Sequence, residues 1–398
     1  MDARGDRPDT AGIEHATESE ALRVELRSGL EGIEPEAWDA LVGGDDPFVE
    51  HGFLHALETS GSVGPDAGWQ PVHVTAWAGE RLIGALPLYA KDNSWGEFIF
   101  DFQWARAAHQ SGLPYYPKLV AMAPFTPATG KRFLLAEGVD HARTVGALLA
   151  GARAAADEID ASSIHLLFLT EEERRLAVGC GFKPRLSVQF HWDDAGYATF
   201  DDYLARFRSS KRKQVRKERR AVAESHLEIA VKEGPELTDA DWEALHRFYR
   251  ENCMRHGSYG YLTPRFFDAV RQIHAHRLVA AIAYRRGTAV AASINFEKGQ
   301  HLYGRYWGCL EDHEFLHFEL CYYQLIERAI ERGITHFEAG AQGFHKLKRG
   351  LLPVEIHSAH WIREPALADA IGRYLPSEAF QVKAEIAALH DRSPFHRG

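Results

Sequence analysis

One order of elements is written twice along these 398 residues, and that repetition constrains the fold more than any other feature. In the first half, a strand-like LRVELRS near residues 22–28 precedes a helical EPEAWDAL. A second helical run follows, with apolar Phe48, Phe53, Leu54 and Leu57 at helical spacing. Two alternating segments, QPVHVTAWA and RLIGALPLYA, meet at Gly79-Glu80 and predict a hairpin. An aromatic-rich stretch, FIFDFQWARAAHQSGLPYYPKLV, leads to a strand, a helix through HARTVGALLAGARAAADEI, the strand SIHLLFLT and a short helix up to Gly181. The second half repeats this grammar. The strand LEIAVKE and the helices DADWEALHRFYRENCMR and TPRFFDAVRQIHA come first, then three strands turning at Arg286-Gly287 and Lys298-Gly299. The amphipathic helix ELCYYQLIERAIERG ends on Gly333, and the buried strand ITHFEAG and the late strand EIHSAHWI close the unit. Repeated grammar without evident sequence identity predicts a duplicated domain. The seam is expected near residues 181–200, where GFKPRLSVQFHWDDAGYATF changes from core-like to turn-rich. The expected division is a disordered leader at 1–20, one lobe at 21–190 and a second at 191–390.

Composition narrows the class. With 45% hydrophobic and 26% charged residues, each half has enough apolar material for a core of its own. No apolar run approaches the roughly 18 residues a membrane span requires. The first twenty residues lack a basic region followed by an apolar one, so no signal peptide is expected. Cys180, Cys253, Cys309 and Cys321 form no CxxC pair, which points to reduced thiols, a cytoplasmic protein and no structural metal. A net charge of -10 argues against a protein that coats nucleic acid, with one exception. From Arg206 to Arg220 the sequence RFRSSKRKQVRKERR holds nine Lys or Arg and a single acid, Glu218.

The segments GSVGPDAGWQPVHVTAW, GALPLYAK, PYYPKLVAMAPFTPATG, SSKRKQVRKERR, LYGRYWGCLEDHEFLHFELCYYQLIERAI and FEAGAQGFHKLKRG together resemble a bacterial family of N-acyltransferases associated with peptidoglycan biosynthesis or recognition. The likeness spans roughly residues 45–362. The family is similar to the tandem-GNAT group that includes the Fem-type aminoacyltransferases. The resemblance implies an α/β (α+β) fold of two GNAT-like lobes, each a mixed twisted sheet flanked by helices. It also implies direct transfer of an acyl or aminoacyl group to an amine acceptor, a small molecule or a peptide. The donor is acyl-CoA, as in ordinary GNAT enzymes, or aminoacyl-tRNA, as in Fem-type enzymes. Where the family usually carries an acid, this chain has Phe344, so a base at that position is missing.

Transfer to an amine needs an unprotonated acceptor, an electrophilic contact for the developing oxyanion and a proton for the leaving group. The loop Gly340-Ala341-Gln342-Gly343-Phe344-His345-Lys346 has small residues that permit close approach of a donor, with Lys348 and Arg349 just beyond. By resemblance, Lys346 matches the lysine that touches the transferring region in Fem-type enzymes, and the C-terminal lobe is expected to hold the active cleft. Gln342, Gly343, Lys348 and Arg349 are its expected substrate contacts. The plainer reading is a glycine-rich turn with a solvated basic rim. By strand alternation Tyr303, Arg305 and Trp307 share one face, where Arg305 would bind a carboxylate or phosphate, Tyr303 would donate a hydrogen bond and Trp307 would line the pocket. An aromatic core with one snorkelling arginine explains the same pattern. Glu338 and Asp312 are candidate proton acceptors, though caps and buried networks recruit such acids too. Among 22 histidines, His345 and His360 are the best placed.

In the basic segment, helical spacing aligns Arg212, Arg216 and Arg220, with Lys213 and Lys217 in the next row and Lys211 ahead of them. It reads either as a solvated helix face or as a phosphate-binding surface for tRNA, a CoA diphosphate or a nucleotide-linked cell-wall precursor. His313-Glu314-Phe315-Leu316-His317 fits HExxH. It lies at a turn and helix start rather than within a helix, so a zinc hydrolase is not expected. A catalytically idle module that binds cell-wall precursors is the alternative from another class, and oligomerisation is left open by the clustered aromatics.

Overall fold

Gly79, Gly287 and Gly299 take positive φ values of 56°, 77° and 56°, and the strands on either side fold back into the hairpins read from the sequence. The structure is a computed structural model that describes residues 22–258, 260–341 and 343–396. The leader expected at 1–20 lies outside the described residues, as does Gln342.

In chain order the first half runs β1 (Leu22–Arg27), α1 (Pro35–Asp39), α2 (His51–Thr59), β2 (Gln70–Pro71), β3 (His73–Ala78), β4 (Arg81–Leu86), β5 (Tyr89–Lys91), α3 (Phe102–Gln110), β6 (Lys118–Ala121), β7 (Leu134–Leu135), α4 (His141–Glu158), β8 (Ser163–Leu169) and α5 (Glu171–Gly179). The second half continues with β9 (Lys183–Asp193), α6 (Phe200–Ala205), α7 (Ser209–Ala223), β10 (Glu228–Glu233), α8 (Asp239–Arg255), α9 (Pro264–Ile273), β11 (Leu278–Arg285), β12 (Thr288–Lys298) and β13 (His301–Cys309). Then come α10 (Leu316–Phe318), a π turn (Glu319–Tyr323), α11 (Gln324–Arg332), β14 (His336–Glu338), a 3-10 turn (Phe344–Arg349), β15 (Leu352–Ile362) and α12 (Pro365–Asp391).

A small sheet has the order β1-β3-β4-β7, and eleven strands form one continuous sheet in the order β10-β11-β12-β13-β14-β9-β15-β8-β6-β5-β2. Two of its pairs are parallel, β6 with β8 and β13 with β14. A parallel pair needs a crossover, and a helical connection supplies it each time, α4 in the first half and α11 in the second. The same unit therefore occurs twice, giving the α/β fold expected from the repeated grammar: mixed sheets flanked by helices.

The stretch 181–200 departs from expectation. Most of it is β9, an eleven-residue strand that includes residue 190, pairs with β15 along residues 183–191 and with β14 along 191–193, and thereby joins the two parallel units. Its polar Gln189 and His191 are buried, which is why composition reads it as a turn. The aromatic-rich stretch hides α3, whose Trp104 and Ala108 pack on Ile371 and Leu375 of α12. The halves also share a core: Phe48 meets Phe296 and Tyr303 edge-on, at centroid distances of 5.3 and 5.1 Å.

Candidate active site

β13 and β14 are held together by three register pairs, of which Tyr303 with Glu338 is the last. β13 runs on to Cys309 paired only with β12, while the chain leaves β14 through Gly340. The two strands start parallel and their pairing then breaks at the sheet's centre. A β-bulge shapes the β13 side of this break. Ile294 opposes Tyr306 and Asn295 opposes Gly304, so Arg305 is the extra residue. The bulge overturns the expected alternation. Tyr303 and Tyr306 face the core shared with the first half, whereas Trp307 lies with Leu302 and Cys309 on the other side. Arg305 is driven toward the first half, where its Nη2 donates to the Phe125 carbonyl and its guanidinium lies over the rings of Tyr306 and Phe48.

Lys346 reaches this break from the 3-10 turn. Its side chain is buried, and its Nζ donates to the carbonyl of Gly340, the residue at which the chain turns away from β14. Burial pushes its pKa down to about 7, with Arg305 adding to the push and the Cys321 thiol opposing it. The turn forms because Gly343 accepts φ 115°, and a Cβ there would sit 2.4 Å from the His345 ring. His345 is half-buried, with Nε2 2.8 Å from Tyr322 Oη, and burial together with Arg349, Lys346 and Lys348 lowers its pKa, keeping it neutral at pH 7. His317, packed against Trp307, Tyr322 and His345, is pushed down to about 4 by burial and by the neighbouring cations.

At the last paired position before the break stands Glu338. It is buried, accepts the Thr129 amide at 3.3 and 3.2 Å, and lies 3.4 Å from His336 Nε2 and 3.8 Å from His191 Nε2. Burial alone would raise its pKa, but His191, His336 and the Thr129 amide outweigh it and hold the carboxylate below its ordinary range. Burial likewise opposes charge on His336, yet hydrogen bonds to Asp193 and Glu338 lift it to about 9, while His191 is pushed down to about 4, chiefly by burial. Tyr303 is buried with its Oη donating to the Asp45 carbonyl at 2.9 Å.

The sequence profile of a family described as FemAB-like, peptidoglycan biosynthesis/recognition, matches residues 29–397. The chain belongs to the FemAB-like family. The fold agrees: the crystal structure of FemX superposes with a TM-score of 0.54 at 12% identity, covering 85% of this chain and 98% of that one. The structure of L-PGS from Bacillus licheniformis gives a TM-score of 0.52 at 12% identity, covering 86% and 97%. No curated protein matches the chain.

Several expected site residues of this FemAB-like protein sit elsewhere. Arg349, expected to touch substrate, is buried and closes a pair with Glu218 at 3.0 Å to both oxygens, its guanidinium stacked on Phe318. Asp312 is an exposed loop residue paired with Arg255 at 3.1 Å, and nothing shields it as a base should be shielded. His360 belongs to the first half's core: its Nδ1 is 2.7 Å from that of His165, beneath Trp104. Lys348 is exposed on the turn, and Gln342 lies outside the described residues. In the HExxH segment Phe315 takes φ 65°, so His313 and His317 share no helical turn.

The basic segment is helical, as its spacing predicts, and forms α7. Val215, Glu218 and Val222 face inward, while Lys213, Arg216, Lys217 and Arg220 are exposed and Lys211 and Arg212 half-buried. Glu218 also receives Tyr323 Oη at 2.5 Å and Gln214 Nε2 at 3.0 Å, so the one acid of the segment fastens α7 to the turn that carries Lys346. Sequence reasoning missed Thr129, Phe125, His191 and His336, each brought to the site by pairing between distant strands or by a loop of the other half. The segment PFTPATG was marked by the resemblance alone, and no local signal tied it to β14.

Proposed function

We propose that this protein transfers an aminoacyl group from tRNA to an amine of a peptidoglycan-precursor peptide, with Lys346 as its proton-transfer group. The observation that carries the reading is a buried lysine with a pKa near 7 at the point where the parallel strands part. In its neutral form Lys346 Nζ takes the proton of the acceptor nitrogen as that nitrogen attacks the acyl carbonyl. When the tetrahedral intermediate collapses, the new C–N bond remains and the ester C–O bond breaks. Lys346 then returns the proton to the departing ribose oxygen, so the exchange balances without a covalent enzyme intermediate. Arg305 supports the site by keeping positive charge beside the lysine, which favours its neutral form.

Two features favour tRNA over acyl-CoA as donor. The link from β13 to the following helix, where a diphosphate would meet the first backbone N–H groups, carries Glu311, Asp312 and Glu314, with Glu319 in the π turn. Carboxylates there repel a diphosphate. By contrast, α7 is bolted to the Lys346 turn and presents a row of exposed cations, along which runs a groove of about 790 Å³ lined by Phe200, Arg216, Arg219 and Arg220. The test is binding of charged and uncharged tRNA and of CoA as a function of salt. Tight, salt-dependent tRNA binding with CoA inert supports the donor assignment. Micromolar CoA binding with tRNA inert overturns it in favour of an acyl-CoA-dependent transferase.

A further inference from the structure

The pairing of β9 with β14 places Glu338 opposite His191, with His336 two residues before it on the same face of its strand. One nitrogen from each histidine and one carboxylate oxygen fall within 4.8 Å of one another. We infer that His191, His336 and Glu338 form a binding site for a divalent transition metal of the zinc type.

Four observations support this. The donor set, two imidazoles and one carboxylate, suits zinc and leaves a fourth position for water. Its spacing is near that of a bound ion: His336 Nε2 is 3.4 Å from Glu338 Oε1 and His191 Nε2 3.8 Å from Oε2, and one nitrogen of each ring with a single carboxylate oxygen lie within 4.8 Å of one another, so a small contraction brings them to the separations of roughly 3.3 Å around a tetrahedral ion. The outer contacts also orient the ligands. His336 Nδ1–H donates to Asp193 Oδ1 at 2.6 Å, which directs its Nε2 inward. The Thr129 amide fixes Glu338, and on the rim Thr129 Oγ1 and His301 Nδ1 are buried with no hydrogen-bond partner among the described residues. The competing contacts are displaceable: Gln189 Oε1 lies 3.1 Å from His191 Nε2, and the proton that His336 Nε2 shares with Glu338 leaves as the metal binds.

A second triad of similar dimensions, Glu50 with His274 and His276, lacks this character. Glu50 is already neutralised by Arg277 at 2.7 Å and Lys298 at 2.8 Å, whose charges repel a cation. Glu338 is paired among the described residues with histidines alone. Because the same carboxylate holds the Thr129 amide, a bound metal would clasp the β9–β14 seam to the loop of the first half.

The test uses the full chain without added histidines, stripped with a chelator and dialysed against micromolar Zn²⁺, with bound metal measured by elemental analysis. One Zn²⁺ per chain is expected, with Co²⁺ giving the visible bands of a four-coordinate ion. H336A and E338Q should abolish uptake. D193N, whose position is largely exposed and tolerates change, should weaken affinity about 10–100-fold with an unchanged circular dichroism spectrum. No bound Zn²⁺ in the wild-type chain overturns the site. Uptake equal in wild type, D193N and H336A also overturns it, since the ion then belongs to other histidines. The readout is metal content, so it is independent of whether the protein transfers an aminoacyl group.

Discussion

Lys346 has almost none of its surface in water, and an ammonium group in such a place is carried at a cost. With a folded pKa of about 7 against roughly 10.4 in an unfolded chain, the unfolded state binds a proton between those values that the native state does not. The Lys346 contribution to stability is therefore most favourable above about pH 10.4, falls as pH drops toward 7, and bears the whole penalty below 7. K346M removes the penalty. Its melting temperature should exceed wild type at pH 6, with a gap that narrows as pH rises toward 10, while transfer falls about 100-fold or more. A variant equally active, or less stable than wild type at pH 6, contradicts this. In the wild-type enzyme the single-turnover rate should rise with pH through about 7 and then level, because the neutral amine is the working form. The position of Lys346 was legible from its neighbours in sequence through the family resemblance. Arg349 beside it was misread because its partner, Glu218, comes from a distant helix, and no local pattern announces a buried pair.

At the scale of elements, α7 and the 3-10 turn act as one piece, and two kinds of substitution separate its roles. E218A leaves Arg349 buried without its counter-charge and should destabilise the protein by about 3–5 kcal/mol in denaturant titration. Neutralising Lys213, Lys217 and Arg220 together should leave the melting temperature almost unchanged while lowering the slope of log affinity for tRNA against log salt by about 3. An unchanged slope would make α7 a solvated face. Helical period made α7 and α11 readable, and alternation with glycine turns did the same for the hairpins. The register of β13 was not readable, because the bulge at Arg305 depends on how β12 pairs with it and shifts Trp307 to the opposite side. β9 was missed because strands that bury Gln and His beside partner strands lack an apolar signature.

At the scale of the whole molecule, β9 and β15 make one sheet of the two repeated units, and Phe48, Phe296 and Tyr303 make one core. Calorimetry should therefore show a single cooperative transition, with the van't Hoff and calorimetric enthalpies equal. Two resolved transitions would mean that the halves unfold independently and that the seam contributes little. The repeated grammar revealed the duplication, yet the seam itself depends on long-range pairing that one sequence does not display. No helix among the described residues is long and apolar enough to cross a membrane. The most direct test of the central claim is single-turnover transfer from a pool of tRNA charged with labelled amino acids to a peptidoglycan-precursor peptide bearing a free amine, comparing wild type with K346M. The account predicts label on the peptide with wild type and at least a 100-fold slower appearance with K346M; equal rates, or label arriving only when acyl-CoA replaces the tRNA, would contradict it.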